Sequence, residues 1–233
     1  MKLERLLSFL KKKNKKIGVY VAHDDDSIIG VGGTIIKHRE MGDDVFVVIF
    51  TDGENSHFRV FGFLENPSPQ QVKEKRKKEI KEAMKLLGIK ENRLKFLNQI
   101  DGESPSWRDK GDVIDTVVRI TEEEKPDIIY SNYLLDPHID HISVGKIVKN
   151  MLQKLSYRPE VYQFAIQGTI PDPDKIILIS DSLETKRKAL FEMKSQVLCE
   201  PYKSEGWQKQ SRSILSEEEI KKFLGSEEVF RQY

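Results

Sequence analysis

The stretch KIGVYVAHDDDSIIG, residues 16–30, carries the strongest indication of the fold in this sequence. Its first half is apolar and β-branched, and it stops abruptly at a histidine and three consecutive aspartates. Such a run is typical of a strand that is buried in a parallel sheet and ends where the polar residues begin. Adjacent carboxylates repel one another unless they are solvated, cap a helix or lie beside a cation. Their position at the end of a buried strand therefore needs a specific explanation.

Strand-like and helix-like segments alternate along the rest of the chain. Predicted strands cover residues 16–22, 44–51, 93–98, 126–132, 161–166 and 175–179, and predicted helices cover residues 26–41, 70–87, 111–124, 140–155, 183–194 and 217–224. The alternation predicts an α/β fold with a Rossmann-like, mostly parallel sheet and helices on both of its faces. In sheets of this kind, ligands bind beyond the carboxyl ends of the strands.

The composition is that of an ordinary folded domain. The chain has 233 residues, of which 38% are hydrophobic and 33% charged, and its net charge is +1. These values predict a single domain over residues 1–233, with an N-terminal helix over 1–16 and a C-terminal tail over 197–233. Because the positive and negative charges balance, we expect no nucleic-acid partner.

Several features of the sequence bear on its compartment. No apolar run approaches the length of a membrane span. The first apolar residues precede the lysine-rich run instead of following it, which is the wrong order for a secretory signal. The single cysteine, Cys199, excludes an internal disulfide and a zinc site built from several thiolates. We therefore expect a cytoplasmic protein without a membrane span.

Polar clusters follow four of the predicted strands. They occupy residues 23–26, 51–54, 98–103 and 136–141. The carboxyl ends of parallel strands meet at one edge of a sheet, so these clusters predict a single site there. Residues 30–33, GVGG, invite a dinucleotide-binding interpretation. They lack the full fingerprint spacing, however, and favour close packing of a helix on the sheet.

The histidines point to a metal. His138 and His141 are one helical turn apart at the start of a predicted helix, and three of the five histidines fall in the first and last clusters. Neutral imidazole together with carboxylate suits a borderline divalent metal, zinc first. The alternative is a polar turn in which Asp26 or Ser27 caps the following helix. Capping accounts for one of the three aspartates and leaves two unexplained.

Several segments together resemble the PIG-L superfamily of zinc-dependent de-N-acetylases, also called LmbE-like proteins. AHDDDS at 22–27 resembles the family's AHPDDE motif, and PHIDH at 137–141 resembles its HPDH-type motif. Further similarity lies in TDGE at 51–54, in the helix that carries Arg76, Glu79, Ala83 and Leu87-Gly88, and in KRKALFEMKSQ at 186–196. The resemblance runs from about residue 16 to residue 196, so the tail after Gln196 diverges from the family.

The resemblance implies a role for individual residues. It assigns His23, Asp26 and His141 as metal ligands, Asp25 as the general base, His138 as the residue that stabilises the oxyanion or delivers a proton, and Asp140 as the carboxylate that orients His138. Beside these, Arg76, Asp52 and Asp101 are candidate substrate-binding residues; each could equally be a surface charge or a helix cap. The implied cofactor is Zn²⁺, with Fe²⁺ or another divalent metal left open.

Three positions depart from the family pattern. Asp24 stands where the family has proline, Ser27 where it has glutamate, and Met193 where it has histidine. None of the three is a metal ligand or the base in the implied scheme. Ser27 is expected to alter the surroundings of the metal, and Asp24 to add negative charge beside it.

The sequence thus predicts a zinc-dependent hydrolase that removes an N-acetyl group from an N-acetylglucosamine-type sugar or glycoconjugate. Its partner would be a small amino-sugar substrate, and related enzymes often assemble into homo-oligomers. Three alternatives stay open: another N-acyl or amide substrate, an iron oxygenase with two histidines and one carboxylate, and a sugar-binding relative without turnover. Loss of activity in Asp25→Asn with the metal retained would favour hydrolysis.

Overall fold

A computed structural model describes residues 14–198, 206–208 and 210–233. The strands are β1 (Lys16–Val21), β2 (Asp44–Thr51), β3 (Leu94–Gln99), β4 (Ile128–Asn132), β5 (Glu160–Phe164), β6 (Lys175–Leu178) and β7 (Glu227–Gln232). The helices are α1 (Asp26–Ile29), α2 (Gly32–Glu40), α3 (Ser56–Phe61), α4 (Pro69–Leu86), α5 (Ser104–Trp107), α6 (Gly111–Glu124), α7 (Ile139–Lys154), α8 (Leu183–Glu192), α9 (Lys194–Val197) and α10 (Glu217–Phe223). The predicted helix over residues 1–16 falls almost entirely outside the described residues. Cys199 also lies outside them.

The seven strands form one sheet in the order β3-β2-β1-β4-β5-β7-β6. Strands β1 to β5 pair in parallel, with Val19 opposite Val47 on one side and Tyr130 on the other. The chain builds outward from β1 through β2 to β3, and then returns to place β4 on the other side of β1. This reversal makes the crevice between β1 and β4 the topological switch point, where open α/β sheets bind ligands. The predicted α/β sheet is confirmed.

Helices cover both faces of the sheet, because buried strands carry apolar side chains on both sides. Along β1, Ile17, Val19 and Val21 belong to one apolar cluster and Tyr20 to the other. Residues of α1, α2, α4 and α8 pack into the first cluster, and residues of α6 and α7 pack into the second. Of the helices among the described residues, none is long and apolar enough to cross a membrane.

The helix predicted over 26–41 is wrong in one respect, because it is two helices that break at Gly30 and Val31. Val31 has φ −145° and ψ 11°, which is not helical. A Cβ atom on Gly30 would overlap the ring of Phe164, and one on Gly33 would lie 2.5 Å from Ile179. The glycines therefore allow the close approach of helix and sheet that the sequence favoured.

Strand β7 was not predicted, and the tail that contains it is part of the sheet. It lies between β5 and β6 and pairs antiparallel with both. Its two buried residues are Glu228 and Phe230, so hydrophobic alternation does not mark it. The short helices α3, α5 and α9 were also missed, because four to six residues are too few for a helical period to show.

Candidate active site

The loops after β1 and β4 meet at the switch point, and Asn132 joins them. Its side-chain oxygen accepts the backbone N–H of Ala22 at 2.7 Å, and its side-chain nitrogen donates to Oδ2 of Asp26 at 3.2 Å. Asn132 is the last residue of β4 and is fully buried. It therefore fixes the segment that carries His23 to Asp26 relative to the segment that leads to His141.

The three predicted metal ligands converge. His23 Nδ1 lies 3.3 Å from His141 Nε2 and 3.6 Å from Asp26 Oδ2, and His141 Nε2 lies 3.3 Å from the same oxygen. Ligands held about 2.1 Å from a tetrahedral zinc ion lie about 3.4 Å apart. The three donor atoms thus have the mutual separations that a zinc ion requires, and their chemistry suits it.

Asp136 orients His141. Its Oδ1 atom lies 2.9 Å from His141 Nδ1, and its Oδ2 atom accepts the backbone N–H groups of Ile166 and Gln167 at 2.8 and 3.1 Å. Burial raises the pKa of Asp136, but the bonds to His141 and to backbone amides outweigh it and lower the pKa to about 2. A carboxylate on the second ring nitrogen is the usual support of a metal-binding histidine. The sequence assigned Asp136 no role, although it directly precedes the PHIDH motif that contains His141.

Two carboxylates lie at the other nitrogen of His23. Nε2 is 3.2 Å from Asp101 Oδ1 and 3.3 Å from Asp140 Oδ2. Asp140 was expected to orient His138, but its carboxylate contacts His23, and only its backbone N–H bonds His138. Asp101, a candidate substrate contact, is buried and shares this contact with His23. The groups His23–His138–His141 and His23–Asp101–Asp140 also have donor atoms within 4.8 Å of one another.

The carboxylates give this cluster a preference for positive charge. Burial lowers the pKa of His23, but its bonds to Asp101, Asp140 and Asp26 outweigh burial and raise that pKa well above its usual value. Burial likewise lowers the pKa of His141, and the nearby Asp26 and Asp136 raise it to about 9. A divalent cation between the two rings meets the same preference. The residues present therefore fit a metal.

Asp25 and Asp24 are held by one guanidinium group. Arg76 is buried on α4; its Nη2 atom donates to Asp25 Oδ1 at 3.0 Å, and its Nε atom donates to Asp24 Oδ1 at 3.0 Å. Its Nη1 atom donates to Gln196 Oε1 at 2.8 Å. Arg76 was a candidate substrate contact, and the structure shows that it organises the aspartate loop. The charge that Asp24 adds in place of the family proline is compensated by Arg76.

His138 caps the helix that carries His141. Its Nδ1 atom accepts the backbone N–H of Asp140 at 3.3 Å, which places the proton of the neutral ring on Nε2. Burial, with the neighbouring His23 and His141, lowers the pKa of His138 to about 4. The ring centroid lies 4.6 Å from that of His141 and 5.0 Å from that of His23. His138 therefore offers an N–H donor beside the three converging ligands.

A cavity of about 240 Å³ opens onto these groups. It is lined by His23, Asp25, Asp26, Ile29, Ser56, Arg59, Val60, Arg76, Asp101, His138, His141, Ile166, Gln167, Gln196, Ile214, Leu215 and Glu219. Pockets for drug-sized ligands measure ~300–1,000 Å³, so this volume suits a small ligand. Asp52, the remaining candidate substrate contact, lies elsewhere: it pairs with Lys73 at 2.6 Å and lines a separate, smaller cavity.

Comparison with known proteins places the chain among deacetylases. The family model described as PIG-L, GlcNAc-PI de-N-acetylase, matches residues 19–152, more than half of the chain. A probable N-acetyl-alpha-D-glucosaminyl L-malate deacetylase 2 of Bacillus cereus is 29% identical over 188 residues, which cover 76% of this chain and 82% of the relative. The structure of N,N'-diacetylchitobiose deacetylase from Pyrococcus horikoshii superposes with a TM-score of 0.72 at 25% identity, covering 99% of this chain and 90% of that one.

The same fold also occurs with another reaction. GalB from Pseudomonas putida, a 4-carboxy-2-hydroxymuconate hydratase, matches with a TM-score of 0.68 at 23% identity, covering 78% of this chain and 80% of its own. A likeness at this identity shows the fold alone. The reaction of this chain has to be argued from the residues in its cavity.

Proposed function

The chain belongs to the PIG-L family, and from that premise we propose that it is a zinc-dependent hydrolase that removes the acetyl group from an N-acetylglucosamine-type sugar. The observation that carries the proposal is the convergence of His23 Nδ1, Asp26 Oδ2 and His141 Nε2 within 3.6 Å of one another. The relatives named as deacetylases of N-acetylglucosaminyl malate and diacetylchitobiose support the substrate class.

The metal would be held by His23, Asp26 and His141. Asp136 orients the ring of His141, and Asp101 and Asp140 contact the ring of His23. When bound, a divalent metal lowers the pKa of a water molecule and polarises the amide carbonyl. Three protein ligands leave room for both groups, as in other catalytic zinc sites. Zinc is proposed over iron because hydrolysis needs no change of oxidation state. Zinc is redox-inactive, and two imidazoles with one carboxylate suit it.

Asp25 is the proposed general base. It lines the cavity and is the immediate neighbour of the ligand Asp26. Arg76 donates to Oδ1 of Asp25, and no hydrogen bond from the described residues reaches Oδ2. That oxygen is therefore the one that accepts the proton of the attacking water. As the water oxygen bonds to the carbonyl carbon, Asp25 retains the proton within the cavity.

His138 is the proposed hydrogen-bond donor to the oxygen of the amide carbonyl. Its Nε2–H group stabilises the oxygen that gains negative charge as the carbonyl carbon becomes tetrahedral. When the bond between carbon and nitrogen breaks, the departing nitrogen takes up the proton that Asp25 holds, and acetate and a free amino sugar are formed. The backbone bond from Asp140 to Nδ1 keeps the ring in the tautomer that donation from Nε2 requires.

Acetate release tests the proposal. The wild-type protein, loaded with zinc, is assayed on N-acetylglucosaminyl malate, on N,N'-diacetylchitobiose and on matched N-acyl substrates with other acyl groups. We expect acetate from at least one acetylated sugar, and none from Asp25→Asn with its metal retained. Asp181→Asn, a change at a solvent-exposed carboxylate that does not line the cavity, serves as the matched control.

Two results would contradict the proposal. Tightly bound metal without acetate from any sugar would mean that the acyl group or the reaction is different. A wild-type chain that binds no divalent metal would remove the basis of the mechanism. The cytoplasmic location and homo-oligomeric assembly expected from the sequence stay predictions.

A further inference from the structure

A buried ion pair between α8 and the C-terminal strand β7 contacts both sides of the break between α1 and α2. Lys186 of α8 and Glu228 of β7 are both at least 96% buried, and Lys186 Nζ lies 2.8 Å from Glu228 Oε1. The pair is 42 residues apart along the chain, and β7 lies between β5 and β6 in the sheet. The activity proposed above assigns it no role.

Glu228 occupies the amino end of α2. Its Oε1 atom accepts the backbone N–H of Gly33 at 2.8 Å, and its Oε2 atom accepts both the backbone N–H and the hydroxyl of Thr34, at 2.8 and 2.6 Å. The first amides of a helix lack partners within it, and the residue before α2, Val31, has no side chain that could supply one. A carboxylate from nearly two hundred residues away thus caps this helix.

Lys186 occupies the carboxyl end of α1. Its Nζ atom donates to the backbone oxygen of Ile29 at 2.8 Å, and Ile29 is the last residue of that helix. The ion pair therefore holds both sides of the break between α1 and α2. No other described side chain caps either of these two helix ends.

Helix α1 needs external support because it has only four residues. A single turn is intrinsically unstable, since nucleating a helix fixes several residues for one hydrogen bond. Asp26 is its first residue, and the backbone oxygens of Asp25 and Asp26 accept the bonds that form the turn. The Asp26 carboxylate accepts from Asn132 and from the backbone of His23, and the turn that carries it is held at its other end, Ile29, by Lys186.

We propose that Lys186 and Glu228 are positioning residues for the metal site, through which the C-terminal strand sets the geometry of Asp26. This inference rests on the proposed metal-dependent function. A buried ion pair contributes little net stability compared with well-packed apolar residues, but removing one partner leaves an uncompensated charge. A role in geometry accounts for an ion pair at this position, where Lys186 reaches one helix and Glu228 the other.

The experiment measures metal binding rather than turnover. Metal-free wild type, Lys186→Met and Glu228→Gln are titrated with Zn²⁺ in competition with a chromophoric chelator, and the visible absorption of each Co²⁺-substituted protein is recorded. We expect a Kd for Zn²⁺ at least ~10-fold higher in each variant, as for residues that orient metal ligands, and an altered Co²⁺ band. Thermal denaturation gives the stability of each metal-free protein.

Asp43→Asn is the matched control. Asp43 is also buried and also ties distant segments, since it accepts from the backbone of Lys15 at 2.9 Å and contacts His38 Nδ1 at 2.7 Å. It directly precedes β2, at the amino end of that strand, whereas the cavity lies at the carboxyl ends of the strands. We expect this variant to lose stability while its Kd for Zn²⁺ and its Co²⁺ spectrum stay those of the wild type.

Two further variants keep the test decisive if a single substitution prevents folding. Lys186→Met/Glu228→Gln removes both charges together, and Thr34→Val removes one bond to Glu228 while keeping the pair. Unchanged Kd and Co²⁺ spectrum in all variants, with stability lost as in Asp43→Asn, would overturn the inference and leave the proposed function intact. A wild-type protein that binds neither ion would overturn the proposed function itself.

Discussion

Asp24 and Arg76 form an ion pair that is buried beside the proposed catalytic base. Both side chains are at least 95% buried, and the Nε atom of Arg76 lies 3.0 and 3.3 Å from the two carboxylate oxygens of Asp24. The next residue, Asp25, receives a hydrogen bond from the same guanidinium group. The aspartate that replaces a family proline is thus bound to a family arginine.

Asp24→Asn is expected to lower the free energy of unfolding by about 3 kcal/mol. The substitution keeps the shape of the side chain but leaves the buried charge of Arg76 with one carboxylate instead of two, and breaking a buried pair costs about 3–5 kcal/mol. Urea denaturation at neutral pH measures the change.

The control for this prediction is the surface pair of Lys37 with Asp181, whose side chains are 26% and 69% exposed. Asp181→Asn should change stability by less than about 1 kcal/mol, because solvent screens exposed pairs. Equal effects of the two substitutions would show that burial does not set the strength of the Asp24–Arg76 pair.

Asp136→Asn is expected to weaken Zn²⁺ binding by ~10–100-fold, the range for residues that orient metal ligands. Both carboxylate oxygens of Asp136 accept hydrogen bonds, one from His141 and the other from the backbone of Ile166 and Gln167. Asparagine replaces one of these oxygens by an NH₂ group, which cannot accept, so at least one of the bonds is lost. Competition titration of the metal-free protein measures the Kd. Asp127→Asn removes a carboxylate that also accepts a backbone N–H but lies at the amino end of β4, and it should bind Zn²⁺ like wild type.

Removal of metal by a chelator is expected to abolish deacetylation and to lower the melting temperature. The proposed Zn²⁺ site of His23, Asp26 and His141 exists only in the folded state, so Zn²⁺ at 100 times its Kd should stabilise that state by about 2.7 kcal/mol. Activity and thermal denaturation are followed during chelation and readdition. A melting temperature that does not respond to Zn²⁺ would contradict binding at this site.

His57 makes stability depend on pH. Burial, with the nearby charge of Arg76, lowers its pKa in the folded state to about 4, from an ordinary value of 6.5. Between pH 6.5 and 4 the unfolded chain therefore binds more protons at this position, and stability falls as the pH falls through that window. Above pH 6.5 both states are neutral here, and the contribution is constant.

His57→Phe removes the titrating group and should flatten this part of the stability profile. The ring contacts to Phe61 and Trp207 are kept by another aromatic side chain. Urea midpoints of wild type and variant are compared at intervals from pH 7 to 4, and Gly111→Ala serves as a control that leaves the imidazole and its contacts unchanged. Parallel profiles for wild type and His57→Phe would contradict the assignment.

Gly33→Ala is expected to destabilise the protein by about 1–3 kcal/mol, the range for overpacking a core. The new Cβ atom would lie 2.5 Å from the side chain of Ile179, which is itself fully buried. Gly111→Ala is the control, because no atom lies within 4 Å of its Cβ position and alanine favours the helix. A loss at Gly111 as large as that at Gly33 would rule out crowding as the cause.

The sequence determined the sheet and the types of residue at its edge. The strands predicted over 16–22, 44–51 and 126–132 are present. They could be predicted because a buried parallel strand appears in the sequence as an apolar run that ends at polar residues. Since parallel strands end at one edge, His23 and His141 had to meet there. The motifs therefore located the cluster before any contact was known.

The contacts between the groups within the cluster are set by the three-dimensional fold. In the structure Asp136 contacts His141, the carboxylate of Asp140 contacts His23, and Arg76 donates to the aspartate loop. The fold also inserts β7 into the sheet, where its buried Glu228 caps a helix nearly two hundred residues earlier. Local periodicity carries no information about such contacts, because their partners are set by packing between distant segments and by the need of each buried charge for a hydrogen-bonding partner.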